Sequence, residues 1–489
     1  MIGRPAIVER VTEWGLREDV IEKDYALGWV LWGIGSDPVL ANGWVFKGGT
    51  CLKKCYVETY RFSEDLDFTV LPGGPADDAA VVEALQRMLA RVQEASGIDF
   101  ALRPPVVRSR PSGSSLEGRI YFRGPRGSPE AASIKIDLST AEVVARPPVL
   151  RPISHPYPDA LPAPAAVRSY SFEEVFAEKL RAMGERGRPR DLYDIVNLYW
   201  RPDFRQHAEL VRSTLQEKCR TKGVPVPTLA SVTAAQTRAE LEAEWLNMLG
   251  HQLLALPPFE QFWGELPGLF DWLEGRSKPE ELAAIAHDAD EDPGWTPPPT
   301  IWTWGAGFSL ETVRFAAANR LCVELGYRRD LRVIEPYSLR RSRAGHLLLH
   351  AIKTDSRQHR SYRVDKIESV RVTTRPFRPV YAVEFASMGP LSGPEIARQS
   401  AIPTDPRRAI LIPNDRRAAR CSLHVGPRVW PRRAVTSRTV RERSRLGYPT
   451  REQGQREADR TKCRAARRRD RCERHRRVPD RTPARHRLD

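Results

Sequence analysis

Phe46-Lys47-Gly48-Gly49-Thr50, then after a spacer Arg61-Phe62-Ser63-Glu64-Asp65-Leu66-Asp67-Phe68-Thr69-Val70, is the stretch that decides the fold. An apolar run over 43–47 predicts a strand, Gly48-Gly49 breaks it, and a helix opens near Thr50 with Leu52 and Tyr56 inward. A second strand is predicted over 66–71, where Asp65, Asp67 and Thr69 alternate with Leu66, Phe68 and Val70. Alternate side chains of a strand point to opposite faces, so two carboxylates stand side by side on the polar one. Like charges that close repel unless a cation or a proton lies between them. A hard divalent ion, Mg²⁺ or Mn²⁺, suits carboxylate oxygens and phosphates together. Gly48-Gly49-Thr50 stands at a strand-to-helix junction, where free backbone N–H groups attract anions and glycine lets a phosphate approach.

The same alternation recurs in Ser133-Ile134-Lys135-Ile136-Asp137-Leu138-Ser139, with Lys135 and Asp137 on one face. Paired beside 66–71, this strand supplies a third carboxylate and a positive charge near the phosphates. Such a centre stabilises an in-line phosphoryl displacement. Taken singly the pieces are bland, since an Asp-x-Asp strand is usually a solvated face and Gly-Gly usually a turn. Their combination and order are far more specific.

Working outward, Ile7, Val8, Val11 and Trp14 predict an amphipathic first helix rather than a signal peptide. A second helix is predicted over 17–34, with Ile21, Tyr25, Val30 and Leu31 inward. Its apolar run 26–35 is the longest in the chain and falls short of the ~20 residues that cross a bilayer. A third helix spans 77–96 with Val81, Leu85, Met88, Leu89 and Val92 buried, and 98–140 is strand-rich. Residues 147–164 are Pro-rich and predict a surface loop. Ser171-x-x-Glu174 is a capping box for a helix ending near Gly184, and another helix starts at Asp191 after Pro189. Residues 205–270 are helical, anchored by Trp245, Leu246 and Leu249. An acidic stretch ending in Pro297-Pro298-Pro299 reads as a linker. One helix then leads into short strands at 331–334, 346–352, 361–364, 369–373 and 380–385, the spacing of a small barrel or sandwich.

The chain has 489 residues, 41 of them Pro, and a net charge of +16. Residues 391–489 hold 27 Arg, one Lys and 11 Asp+Glu, a net of +17, which leaves −1 over residues 1–390. The basicity therefore belongs to the tail and says nothing of nucleic-acid binding by the rest. That tail buries too little apolar surface to fold. Its composition fits an RNA-binding arm and equally the out-of-frame translation of a G+C-rich gene; Cys463, Cys472 and His475 lack zinc-finger spacing. Seven cysteines give no disulfide framework, and Cys51 and Cys55, one turn apart, read as small buried residues. These features predict a cytoplasmic protein without a membrane partner.

The layout of Gly-Gly, acidic pair and third acid resembles the nucleotidyltransferase superfamily. Glu22-Lys23-Asp24-Tyr25, Phe46–Thr50, Arg61–Asp67, Glu178-Lys179-Leu180 and Arg190-Asp191-Leu192-Tyr193-Asp194 resemble, over roughly 1–270, the AbiEii/AbiGii toxin family. The resemblance implies an NTP substrate, an RNA (tRNA) or protein hydroxyl as acceptor, and a separately encoded antitoxin in a type IV toxin–antitoxin or phage-defence module. It implies that Lys47, Gly48, Gly49 and Thr50 hold the nucleotide and that Asp65, Asp67 and Asp137 hold the metal, with Lys135 beside them. Lys179, Asp191 and Asp194 belong to the later motifs, Lys179 and Asp191 as catalytic and Asp194 as nucleotide-binding. By their own spacing, Asp191 reads equally as a helix N-cap and Lys179 as pointing either way. The 15-residue spacer between Gly49 and Asp65 exceeds the superfamily pattern, and extra loop at 58–62 absorbs it.

Ile334–Arg340, Leu347–Leu349 and Arg360–Ile367 resemble a WYL domain, a small Sm-like barrel that senses a ligand or nucleic acid. His346-Leu347-Leu348 stands where the name-giving Trp-Tyr-Leu would be, and Tyr337, Arg340, Arg360 and Arg363 would line its pocket. Arg suits phosphate or carboxylate; a solvated basic rim is the alternative. The expected architecture is an α/β (α+β) chain: a nucleotidyltransferase-type mixed sheet with helical extension over 1–270, a linker over 271–302, an Sm/SH3-like barrel over 303–388 and a disordered tail over 389–489. The competing functional reading is a non-catalytic regulator that binds nucleotide or RNA, against which the intact acid set argues.

Overall fold

The computed structural model describes residues 1–57, 61–111, 113–201, 207–295 and 310–387. The tail, the three consecutive prolines and most of the expected 58–62 loop lie outside the described residues. The first sheet holds β1 (Trp44–Lys47), β2 (Asp65–Val70), β3 (Val106–Ser109), β4 (Ser115–Phe122), β5 (Ala132–Ser139), β6 (Val149–Pro152) and β7 (Ala166–Ser169) in the order β3-β4-β5-β2-β1-β7-β6. It is mixed: β2 runs parallel to β5 and β1 parallel to β7, while the other pairs are antiparallel. Both β6 and β7 lie at or beside the Pro-rich stretch expected as loop. Four residues each, without alternation over a long run, they give the sequence almost no period to show.

Alternation along β5 buries Ile134, Ile136 and Leu138 on one face. The helices Glu18–Ser36 and Asp78–Ser96 cover that side. The polar face, carrying Lys135 and Asp137, looks toward the helix Phe172–Arg186. That helix opens as expected, with Ser171 Oγ accepting from Glu174 N at 3.3 Å, and runs on to Arg186 with Gly187 left-handed beyond it. Glu174 does not close the box; its carboxylate takes the amides of Ala145 and Arg146 at 2.8 and 3.0 Å. The next helix starts at Pro189, so Asp191 lies in its first turn and is not the cap. Val8 and Leu246, expected inside, are exposed.

The second sheet is antiparallel, ordered β11-β10-β9-β8-β12, from β8 (Leu321–Tyr327), β9 (Asp330–Arg341), β10 (Leu347–Lys353), β11 (His359–Arg363) and β12 (Ile367–Pro376). The strand expected at 380–385 is instead the approach to a short helix, Glu384–Ser387. Part of the acidic stretch expected as linker lies on this sheet. Asp292 N donates to Arg341 O at 2.9 Å, Arg343 N to Asp290 O at 2.7 Å, and Ala382 N to Ala283 O at 2.9 Å. Glu291, almost fully buried, pairs with Arg340 at 3.1 Å, and its Oε1 lies 2.8 Å from His350 Nε2. The helix Leu310–Ala318 and the turn after it meet the first part of the chain: Tyr193 Oη donates to Asn319 Oδ1, and Arg320 stacks 4.1 Å from the Trp200 ring.

Candidate active site

Strand register brings the predicted acids together. Lys47 lies opposite Asp67, Asp67 opposite Asp137, and Asp137 opposite Glu117, one rung across β1, β2, β5 and β4. The neighbouring rung holds Asp65, Lys135 and Arg119. Gly48 follows Lys47 with φ +82°, and a Cβ there would overlap Asp67 Oδ2. Only glycine combines that backbone with that closeness to the carboxylate. A Cβ on Gly49 would come 2.8 Å from Arg61 Nη2 and 3.0 Å from Ser63 Oγ. Thr50 is buried, its hydroxyl donating to the Asp65 carbonyl at 2.5 Å. It ties the Gly-Gly turn to the acidic strand, and Thr50 is not among the residues that line the cleft.

Between the sheet's polar face and the helix Phe172–Arg186 opens a cleft with about 610 Å³ of empty space. Lys47, Gly48, Gly49, Asp67, Glu178, Lys179 and Arg186 are among the residues that line it. Burial pushes the Asp67 carboxyl up to about 6, Asp137 adding to the rise while Lys47 opposes it. Asp65 is raised as well, chiefly by burial. Burial works to lower the Lys47 ammonium, but Glu178 and Glu142 outweigh it and hold Lys47 above the usual lysine range. Lys135 Nζ pairs with Asp137 Oδ2 at 2.7 Å, and Arg110 reaches Asp137 Oδ1 at 3.1 Å.

A hard divalent cation fits this donor set. Asp65 and Asp67 share a strand face, and burial raises both carboxyls against the pull of Lys47 on Asp67 and of Lys135 on Asp65. Among the described residues no three His, Cys, Asp or Glu side chains close into a metal cage, and Asp137 is paired with Lys135 and Arg110. Two carboxylates completed by phosphate and water are what Mg²⁺ ordinarily takes.

Of the predicted residues, Thr50, Asp65, Lys135, Asp137, Asp191 and Asp194 are not among those that line the cleft, and the last two lie deepest. Asp191 and Asp194 have no exposed surface. Asp194 forms a fork with Arg61 at 2.7 and 2.9 Å and takes Lys179 Nζ at 2.6 Å; Asp191 holds Arg186 at 2.8 and 3.0 Å. Against the cost of burial, Arg61 and Lys179 hold the Asp194 carboxyl far below the usual range. The structure thus places Asp191 and Asp194 behind Lys179, Arg186 and Arg61, as their ion-pair partners. Lys179 itself lines the cleft.

Sequence reasoning missed Glu178, whose carboxylate faces the cleft beside Lys47 at 3.7 Å and Lys218 at 3.5 Å. Against its burial, these lysines hold Glu178 below the usual carboxylate range. Its signal was present: Glu178 precedes Lys179 in a motif where only the lysine drew notice.

The four residues expected to line a WYL pocket do not converge. Tyr337 is buried against Phe377 and Tyr381. Arg340 is buried beneath the carbonyls of Ile285 and Ala286 and the Glu291 carboxylate. Arg360 is exposed and Arg363 pairs with Asp365 at 2.7 Å. The physical reason is parity: Arg360 and Arg363 are three apart on one strand and so point to opposite faces.

A Gly-Gly turn into a helix, an in-register acid rung and a lysine-lined cleft on a mixed sheet define a nucleotidyltransferase. Residues 29–265 match the family described as nucleotidyl transferase AbiEii toxin, type IV TA system, and residues 309–372 match the WYL domain. The chain thus carries a toxin-type AbiEii nucleotidyltransferase domain followed by a WYL domain. It is similar to MenT4, a nucleotidyltransferase toxin from Mycobacterium tuberculosis H37Rv, at 22% identity and a TM-score of 0.40, over 56% of this chain and 90% of that one. No curated protein matches it. Among the described residues no helix is long and apolar enough to cross a membrane.

Proposed function

We propose that the protein transfers a nucleoside monophosphate from an NTP to a hydroxyl at an RNA end, tRNA being the acceptor class, and releases pyrophosphate. The observation that carries this is the single rung Lys47–Asp67–Asp137 beside the Gly48–Gly49 turn. The turn's backbone and Lys47 receive the triphosphate. Mg²⁺, held by Asp65 and Asp67, would neutralise phosphate charge. Asp137 takes the proton of the attacking hydroxyl as its oxygen bonds to the α-phosphorus and the bond to pyrophosphate breaks. Lys135 steadies Asp137 for that task, and Lys179, fixed by Asp194, faces the phosphates.

On this reading the protein is the toxin of a two-gene module with a separately encoded antitoxin. It works in the cytoplasm, where NTPs are, and its four described cysteines are free thiols. The WYL domain serves as a sensing module for a small ligand or nucleic acid. The test incubates the full chain with labelled NTPs, Mg²⁺ and total tRNA or a protein extract. Label is expected on tRNA and absent with Asp65→Ala or Asp67→Ala. Label on protein alone would move the acceptor; label unchanged in both variants would remove the site. Nucleotide binding without transfer to either would favour a non-catalytic regulator.

A further inference from the structure

Most cations around the cleft are neutralised by protein carboxylates, and among the half-buried or buried ones Arg190 stands apart. Lys47 has Glu142 and Glu178, Lys135 has Asp137, Lys179 and Arg61 have Asp194, and Arg186 has Asp191. Arg190 forms no hydrogen bond or ion pair among the described residues, and its Nε is buried without a partner. It is half-buried, in the first turn of the helix Pro189–Tyr199. A buried guanidinium N–H without a partner costs free energy, and such groups ordinarily occur paired.

Its position says what is missing. Arg190 precedes Asp194 by one helical turn, so both lie on one face. That face meets Arg61, the side chain that a Cβ on Gly49 would touch. Arg190 is also near enough to Asp65 for their charges to be felt mutually. It therefore lies toward the acid end of β2, on the helix face that Arg61 joins to Gly49. Asp194 on that face is engaged by Arg61 and Lys179 and forms no ion pair with Arg190. Burial and the neighbouring Arg61 both work against its charge.

We propose that Arg190 is a triphosphate-binding residue: its guanidinium takes the non-bridging oxygens of the β- and γ-phosphates, and after transfer those of the departing pyrophosphate. Its planar fork matches two phosphate oxygens at once, which an ammonium cannot do. Charge accumulates on pyrophosphate as the bond to the α-phosphorus breaks, so a cation fixed there favours the transition state over the bound substrate. This assignment rests on the triphosphate lying over Gly48–Gly49.

The test is calorimetric binding of inorganic tripolyphosphate and of a non-hydrolysable Mg·NTP to the full chain, Arg190→Gln and Arg190→Lys, with thermal midpoints of the ligand-free proteins. Arg190→Gln is expected to weaken both ligands by roughly tenfold or more, a loss on the scale of one charge-assisted contact. Its ligand-free midpoint is expected to stay level or rise, because an uncompensated charge has been removed. Arg190→Lys should recover part of the affinity. Unchanged tripolyphosphate affinity in Arg190→Gln overturns the assignment while leaving the transfer reaction standing. A fall in the ligand-free midpoint without lost affinity also overturns it, by making Arg190 structural. Wild-type protein that binds neither ligand removes the cradle and the assignment together.

Discussion

Tyr193 Oη donates to Asn319 Oδ1 at 2.7 Å, and neither residue has any exposed surface. Tyr193 belongs to the helix Pro189–Tyr199, whose next residue, Asp194, fixes Lys179 in the cleft; Asn319 ends the helix Leu310–Ala318 that leads into the second sheet. One hydrogen bond thus joins the WYL part to the helix that positions a cleft lysine. Replacing Tyr193 by Phe leaves a buried amide oxygen without its donor, at a cost of about 1–3 kcal/mol. Urea denaturation of Tyr193→Phe, Asn319→Ala and the double variant should show strong non-additivity. Simple additivity would mean that the two residues do not act on each other.

Arg61 and Asp194 make a buried fork, and breaking it takes the guanidinium from a carboxylate with no exposed surface. Arg61→Met is expected to lose about 3–5 kcal/mol of stability. A cost below about 1 kcal/mol in the same titration would show the pair to be dispensable to this helix.

The pH behaviour of the metal-free protein follows from Asp67, whose carboxyl lies at about 6 against 3.8 for an ordinary aspartate. A raised acid means the folded chain binds more protons than the unfolded one between those values. Its contribution is therefore lost as pH rises through roughly 4 to 6. The effect is bounded by about 3 kcal/mol and reduced by partial solvent access. Thermal midpoints in EDTA should show that slope for wild type and a flatter one for Asp67→Asn. Divalent ions compete with the same proton, so metal affinity should climb across the window.

Much of this centre could be read from residues alone, and the reason is periodicity. Asp65, Asp67, Lys135 and Asp137 sit on strands whose alternation announces the face, and the parallel β2–β5 pairing supplied the rung. What stayed hidden lacked a period or depended on distant partners. β6 and β7 are four residues long, and β8 was missed though buried at nearly every position, which erases alternation. The burial of Asp191 and Asp194 depends on Arg186, Arg61 and Lys179 arriving from elsewhere. Arg190 was in plain sight inside a quoted motif, but only its lack of a partner marks it, and that is a property of the folded chain.

Gly48→Ala is expected to retain the fold and lose transfer by roughly two orders of magnitude, since displacing a reacting group by about 1 Å costs that much. The added methyl would overlap Asp67 Oδ2 at a φ of +82°. Circular dichroism beside a labelled-NTP transfer assay separates the two effects. Full activity would mean that Asp67 moves freely.

The acidic segment lying on the second sheet bears on where this protein can be cut. Glu291 answers Arg340 and His350, and the carbonyls of Ile285 and Ala286 answer Arg340. A fragment begun at the three consecutive prolines, the boundary that composition suggests, would strip the buried Arg340 of the Glu291 carboxylate and of both backbone carbonyls, with Glu384 still beside it. Dissection of the chain into separately studied pieces has to keep residues from Ala283 onward with the C-terminal piece.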